Sequence, residues 1–202
     1  MAEQVRTPKQ QRSIDKKNRI IEAGYKLFAE KGYYSTNTAE IAKEAGVSTG
    51  IVYGYFRDKR DILVEVLNIY VEQVFRPILE MFDTITPPLD FDYILSHALD
   101  SVMKMHKSNA AIHEALHSLS HTDDEVRKRF TALEDEMTRR IAERLVSCGV
   151  SSDGINEKVH LAIQTVQTYA HECVYDKHDY LSYPKMRFLA IDMLKYLFST
   201  SF

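Results

Sequence analysis

Glycine is scarce in this chain. Only seven of 202 residues are Gly, five of them before Phe56, and none lies between Arg57 and Cys148. A long stretch without glycine, rich in Leu, Ile, Met, Glu and Lys, favours helices. Nor is there a phosphate-cradling glycine loop or a dinucleotide fingerprint, and no Ser-His-Asp spacing suggests a hydrolase, so no enzyme activity and no cofactor are expected. Cysteine is scarcer still: Cys148 and Cys173 form no CxxC pair, and the polar start MAEQVRTPKQQRSIDKKNR carries no hydrophobic signal segment. A reduced, cytoplasmic compartment is therefore expected. No uninterrupted apolar run approaches ~18 residues, which argues against a membrane span. Strand-like alternation of useful length and internal repeats are also missing.

What is present points to a globular helical protein. Apolar residues make up 45% of the chain, enough for a substantial core. The net charge of −3 hides an asymmetry. Residues 1–60 hold 12 Lys/Arg against 7 Asp/Glu, a net +5, while residues 61–202 hold 14 against 22, a net −8. A basic front on an acidic remainder suits a protein that meets phosphate with one end only.

Residues 1–14 read as a basic, flexible arm with Arg6, Lys9 and Arg12. A first helix is predicted from Asp15, with Ile20, Ile21, Gly24, Leu27 and Phe28 on one side and Gly32 as its C-terminal stop. A long helix is expected after Asp58, a good N-cap, and Pro77 should kink it. Further helices are predicted over 91–107, 109–121 and 123–148, with Asn109 and Thr122 or Asp123 as caps. A Gly149–Gly154 turn and helices over 155–176 and 183–199 complete the chain. The last helix, with Met186, Phe188, Leu189, Ile191, Met193, Leu194, Tyr196 and Phe198, is too apolar to leave one face in water. Two readings fit it, the central helix of a monomer core or a subunit interface, and a homodimer paired through the last two helices is the expectation.

The most informative segment is Thr38–Phe56, TAEIAKEAGVSTGIVYGYF. It fits two short helices around a glycine turn. Ala42 provides a small residue where the helices cross, Gly46 a turn residue that accepts left-handed backbone, and Val52 an aliphatic lock on the second helix. Thr38 is a candidate cap for the first helix and Ser48 for the second. This is how a helix-turn-helix DNA-binding unit looks in sequence.

With its flanks, the segment resembles the TetR family of bacterial transcriptional regulators. The matching elements are IIEAGYKLFAEKGY, then T-x-x-IA-x-EAGVSTGIVYGYF, then RDKRDIL. They cover about the first third of the chain; the remainder is similar only in length and helical content. The resemblance implies an all-α protein with a DNA-binding domain at 15–60 (motif 37–56) and a larger ligand-binding and dimerisation domain at 61–202. It further implies a homodimeric repressor on double-stranded DNA, released from a palindromic operator by a small-molecule effector. Such a protein is bacterial and nucleoid-associated when bound to DNA. On this pattern the second motif helix enters the major groove, with Ser48, Thr49 and Gly50 at its start. Tyr53 and Tyr55 would offer hydroxyls to phosphates, Thr38 another hydrogen bond, and Lys59 a phosphate anchor. Gly54 stands where the family often has a large side chain, so readout from the middle of this helix is expected to be sparse.

Histidines recur at 113, 117 and 121, one helical turn apart, with His106 just upstream. Their first reading is the polar lining of an organic-ligand cavity, with Met103, His106, His113, Leu116, His117, Phe130, Met137 and Tyr169 as candidate effector contacts. The alternative is a metal or haem sensor using His113, His117 and His121.

Overall fold

The computed structural model describes residues 11–199, apart from the side chain of Val74. The described residues form helices and no strand: α1 (Gln11–Lys31), α2 (Thr38–Glu44), α3 (Thr49–Tyr53), α4 (Lys59–Asp83), α5 (Phe91–Ser108), α6 (Ala110–Ser120), α7 (Asp124–Ser147), α8 (Ile155–Val174) and α9 (Tyr183–Ser199). The all-α expectation holds, and the predicted helices recur within a few residues at each end. One boundary differs more. α1 starts by Gln11, so residues 11–14 of the expected arm are helical, held by the Gln11 side chain on Asp15 (2.9 Å) and by Ser13 on Tyr55 (2.6 Å). Arg6 and Lys9 of that arm lie outside the described residues. Pro77 lies inside α4 without ending it.

Two compact units emerge. They do not follow the expected division at residue 60. The first unit runs up to Gln73 and includes Asn109–Arg127; the second holds Val74–Ser108 and the chain from Lys128. α4 and α7 therefore contribute residues to both.

In the first unit, α1, α2, α3 and the front of α4 share a core of Ile20, Phe28, Ile41, Val52, Ile62 and Leu63, none more than 1% exposed. Burying each such side chain is worth roughly 1.5–3 kcal/mol. Gly24 lets α1 approach α4: a Cβ there would stand 2.6 Å from the Ile62 Cγ2. Asp58 caps α4 as expected, its Oδ1 accepting from the Asp61 amide at 3.0 Å. α6 packs on α1. Asn109 precedes α6 without making a side-chain cap, because its Oδ1 accepts from the Tyr25 hydroxyl (2.8 Å) instead. Asp123, rather than Thr122, starts α7, accepting from the amides of Glu125 and Val126. The same carboxylate takes two bonds from the Arg60 guanidinium, at 2.5 and 2.9 Å. Arg60 holds the Asp123 carboxyl down at about 2.

In the second unit, α5 packs along α8, and α9 lies against both. Leu99, Val102, Ile141, Leu145, Val159 and Leu194 form its centre. Arg187 clamps α9 to α5 through both Asp100 oxygens (2.9 and 3.1 Å) and the Ser96 carbonyl (3.2 Å). Lys195 reaches Asp92 at 2.6 Å.

Candidate nucleic-acid interface and effector cavity

The cap of α2 lies one residue earlier than expected. Asn37, in extended conformation, caps α2: its Oδ1 accepts the Glu40 amide at 3.0 Å, and Glu40 returns a bond to the Asn37 amide at 3.2 Å. This reciprocal capping box satisfies two otherwise orphaned donors. Thr38 is thereby displaced from the capping role into the first turn, where its hydroxyl lies 3.0 Å from that of Tyr53. At the other end of α2, Gly46 adopts φ +65° and the Val47 amide donates to the Ala42 carbonyl at 3.0 Å. A left-handed residue at this point is what turns the chain. Gly46 and Val52 thus occupy the positions inferred from sequence, and Ala42 is buried at 2% exposure.

α3 is a single short helix of five residues. Ser48 stands at its N-cap, but its side chain makes no capping bond; the Ser48 carbonyl accepts from Ile51 and Val52. Gly50 and Tyr53 are exposed, Thr49 is half-buried, and Val52 is fully buried. Gly54 is the C-cap, at φ −71°. Gly54 thus ends the helix and does not interrupt it, so its propensity penalty does not fall on the helix interior.

Two side chains near the motif hold it to its surroundings. The Tyr55 hydroxyl is 2.6 Å from Ser13 Oγ, so it joins α3's end to α1. The Lys59 ammonium donates to the carbonyls of Tyr33 (2.6 Å) and Thr36 (2.7 Å) and sits 4.3 Å from the centre of the Tyr33 ring. Burial pushes its pKa down. Lys59 thus clamps the loop that leads into α2. Arg57 is tied to Asp61 by two side-chain bonds of 2.8 Å.

The expected effector residues are divided between the two units. His113, Leu116 and His117 belong to the first unit, where His113 is buried with Nδ1 2.7 Å from the Tyr70 hydroxyl. Of the other five, only Met137 lines the apolar cavity of the second unit. Met103 and Tyr169 border a more open groove with Lys107, Cys173 and Arg187. There the Tyr169 hydroxyl donates to the Tyr183 carbonyl, and burial pushes its pKa up to about 12. Phe130 is half-buried and borders neither.

The metal alternative fares no better. The rings of His113 and His117 are 4.3 Å apart, but His121 is exposed at the end of α6. Among the described residues, no group of three or more His, Cys, Asp and Glu side chains could hold a metal ion.

The cavity of about 60 Å³ is walled by α4, α5, α7, α8 and α9. Ile78, Phe82, Leu95, Met137 and Val166 are typical of its lining, and Gln167 is the polar exception. The Gln167 Oε1 lies 2.8 Å from His106 Nε2. His106 is 1% exposed, and burial pushes its pKa down.

Residues 20–66 match the model for bacterial regulatory proteins of the tetR family. The N-terminal domain is a TetR-family domain. The TetR-type segment also relates the chain to an HTH-type transcriptional regulator, HbdR, of Aromatoleum sp. (strain CIB). Identity is 41% over 76 residues, covering 38% of this chain and 33% of that protein. The chain thus spans about a third of the length of that curated relative. Among solved structures, a candidate TetR-family regulator from Mesorhizobium loti matches 94% of this chain and 98% of its own, with TM-score 0.71 and 17% identity. A candidate transcriptional regulator from Saccharomonospora viridis in complex with choline matches 89% of this chain and 95% of its own, with TM-score 0.69 and 20% identity. At these identities the likeness shows a shared fold: a TetR-type helix-turn-helix followed by a helical body. No helix among the described residues is long and apolar enough to cross a membrane.

Three functional features escaped the sequence reading. Asn37 was overshadowed by Thr38, though Asn37 followed by Glu40 is a capping-box signature. The Arg60–Asp123 link joins residues 63 positions apart and has no local signal. Gln167 did have one: it follows Val159, Ile163 and Val166 along the apolar stripe of α8, where a lone amide is out of place.

Proposed function

We propose that this chain is a DNA-binding transcriptional regulator, a repressor that a small molecule releases from a palindromic operator. The observation that carries this reading is the α2–turn–α3 unit within the family-matched segment. Its core side is closed by Ile41, Ala45 and Val52, while Ser48, Gly50 and Tyr53 remain exposed at the edge of α3. Such an edge fits a major groove, with Thr49 and Tyr53 nearest the bases and Thr38 and Ser48 nearest the backbone. Lys59 acts by holding the loop before α2, and Gly54 by ending α3.

The active species in this reading is a homodimer paired through α8 and α9. Phe188, Leu189, Met193 and Tyr196 on α9 are exposed, as is Leu161 on α8. A large apolar patch of this kind marks an interaction surface, and a two-fold pair would present two heads to a palindrome. The effector enters the second unit. It acts by binding the DNA-released arrangement more tightly than the DNA-bound one.

The test is fluorescence anisotropy of labelled DNA from immediately upstream of the protein's own gene, titrated with the full chain at several salt concentrations. Tight binding that weakens steeply with salt is expected. A confirmed dimer that binds this DNA at no salt concentration would overturn the reading. Protein binding without any catalysed change in the DNA fits a regulator and not an enzyme.

A further inference from the structure

We infer that Gly50 helps to select the operator sequence by admitting the 5-methyl group of a thymine into the space that a side chain would occupy on α3. The inference rests on the proposed DNA-reading role of α3 and deepens it.

Six of the seven glycines have a reason within the chain. Gly32, Gly46, Gly149 and Gly154 stand at positive φ, where other residues are strained. Gly24 leaves no room for a Cβ beneath Ile62. Gly54 ends α3, and a Cβ there would crowd the Ile51 carbonyl oxygen at 3.3 Å. Gly50 has none of these reasons. It is exposed within α3 and is not at positive φ. Beyond its chain neighbours, a Cβ would meet only the Ser48 hydroxyl, 4.0 Å away. Glycine is a poor helix former, so its presence weakens a helix of only five residues. Nothing among the described residues compensates for this. The compensation lies outside the chain, in a surface that approaches the α3 backbone more closely than a Cβ would allow.

The composition of α3 says what that surface offers. Its residues, TGIVY, include no Arg, Lys, Asn, Gln, Asp or Glu. It therefore lacks the side chains that pair with guanine or adenine, or accept from cytosine, in the major groove. The apolar feature of that groove is the thymine methyl, and a methyl is what Gly50 leaves out. Tyr53, three residues on, shares this side of the helix and is 53% exposed. Its hydroxyl is held 3.0 Å from that of Thr38, and no Tyr53 atom comes within 4 Å of the vacant Cβ position. The contact works through the missing side chain and calls on no charge at the helix end.

Selection from random duplexes with the full native chain supplies the DNA for the test. Anisotropy then compares native and Gly50→Ala proteins on that duplex, and on copies in which each symmetric pair of thymines is replaced by deoxyuridine. That change removes only the methyl groups. For the native protein, one pair is expected to matter, with binding weakened roughly tenfold by the loss of two buried methyls. Gly50→Ala should bind the thymine duplex at least tenfold more weakly than the native protein, and deoxyuridine at that same pair should restore most of the loss. Its urea midpoint should be equal or higher. Unchanged affinity in Gly50→Ala, no thymine pair whose methyls matter, or a defect that deoxyuridine does not relieve would each overturn the inference. So would a lowered urea midpoint, because the fold itself would then need Gly50. No duplex bound by the native dimer overturns the DNA-reading role as well; a duplex bound equally by both proteins overturns only the role of Gly50.

Discussion

The contact between α1 and α4 in the first unit and the cavity in the second are both governed by small residues, with opposite results. At Gly24 a missing Cβ allows two helices to close until nothing fits between them: the position a Cβ would take lies 2.6 Å from Ile62. At Ala98 and Ala162 small side chains leave space that the surrounding helices do not take up. The difference teaches that a small residue has no fixed meaning in a helical core. Its role depends on whether the facing helix advances into the gap.

The contrast can be broken most severely at the tight contact. Gly24→Leu should destabilise the protein by about 3 kcal/mol, because overpacking forces α1 away from Ile62 and Val66. Urea unfolding followed by circular dichroism measures this. Lys59→Met comes next, with a loss of about 2 kcal/mol, since two charge-assisted bonds to the Tyr33 and Thr36 carbonyls vanish. DNA affinity should fall with it, as the loop before α2 loosens; anisotropy reads that loss.

Asp123→Asn should cost about 1.5 kcal/mol at neutral pH by weakening the Arg60 link. The sign of its pH dependence follows from a carboxyl depressed in the folded state. Its contribution is fully present above the unfolded value of about 3.9 and is lost as pH falls through the folded value of about 2. Melting temperatures of the two proteins should therefore differ at pH 7 and converge between about pH 4 and pH 2. The smallest effect has the opposite sign. Ala162→Leu, filling the void, should stabilise the protein by about 1 kcal/mol, seen as a raised urea midpoint.

Most of the fold was legible because its signals are local. Glycine at 32, 46, 149 and 154 marks turns, each at positive φ, and the apolar stripes between them have helical spacing. The helix-turn-helix was legible for the same reason: Ala42, Gly46 and Val52 act within a few residues of one another. The roles of Lys59 and Tyr55 were not, because their partners, Tyr33, Thr36 and Ser13, depend on how loops and α1 return to the motif. The cavity was the least legible feature. Its lining consists of ordinary core residues drawn from five helices, and an emptiness between helices has no sequence pattern of its own. Histidine periodicity pointed instead to α6, whose inward face serves the first unit, where His113 meets Tyr70.

The central claim, that α3 reads DNA for a paired molecule, is tested most directly by selection from a random-sequence double-stranded library with the full chain, in parallel with Thr49→Asp and Tyr53→Asp variants. The account predicts enrichment of one inverted repeat by the native protein and none by either variant. No enriched sequence, or the same repeat enriched by all three proteins, would contradict it.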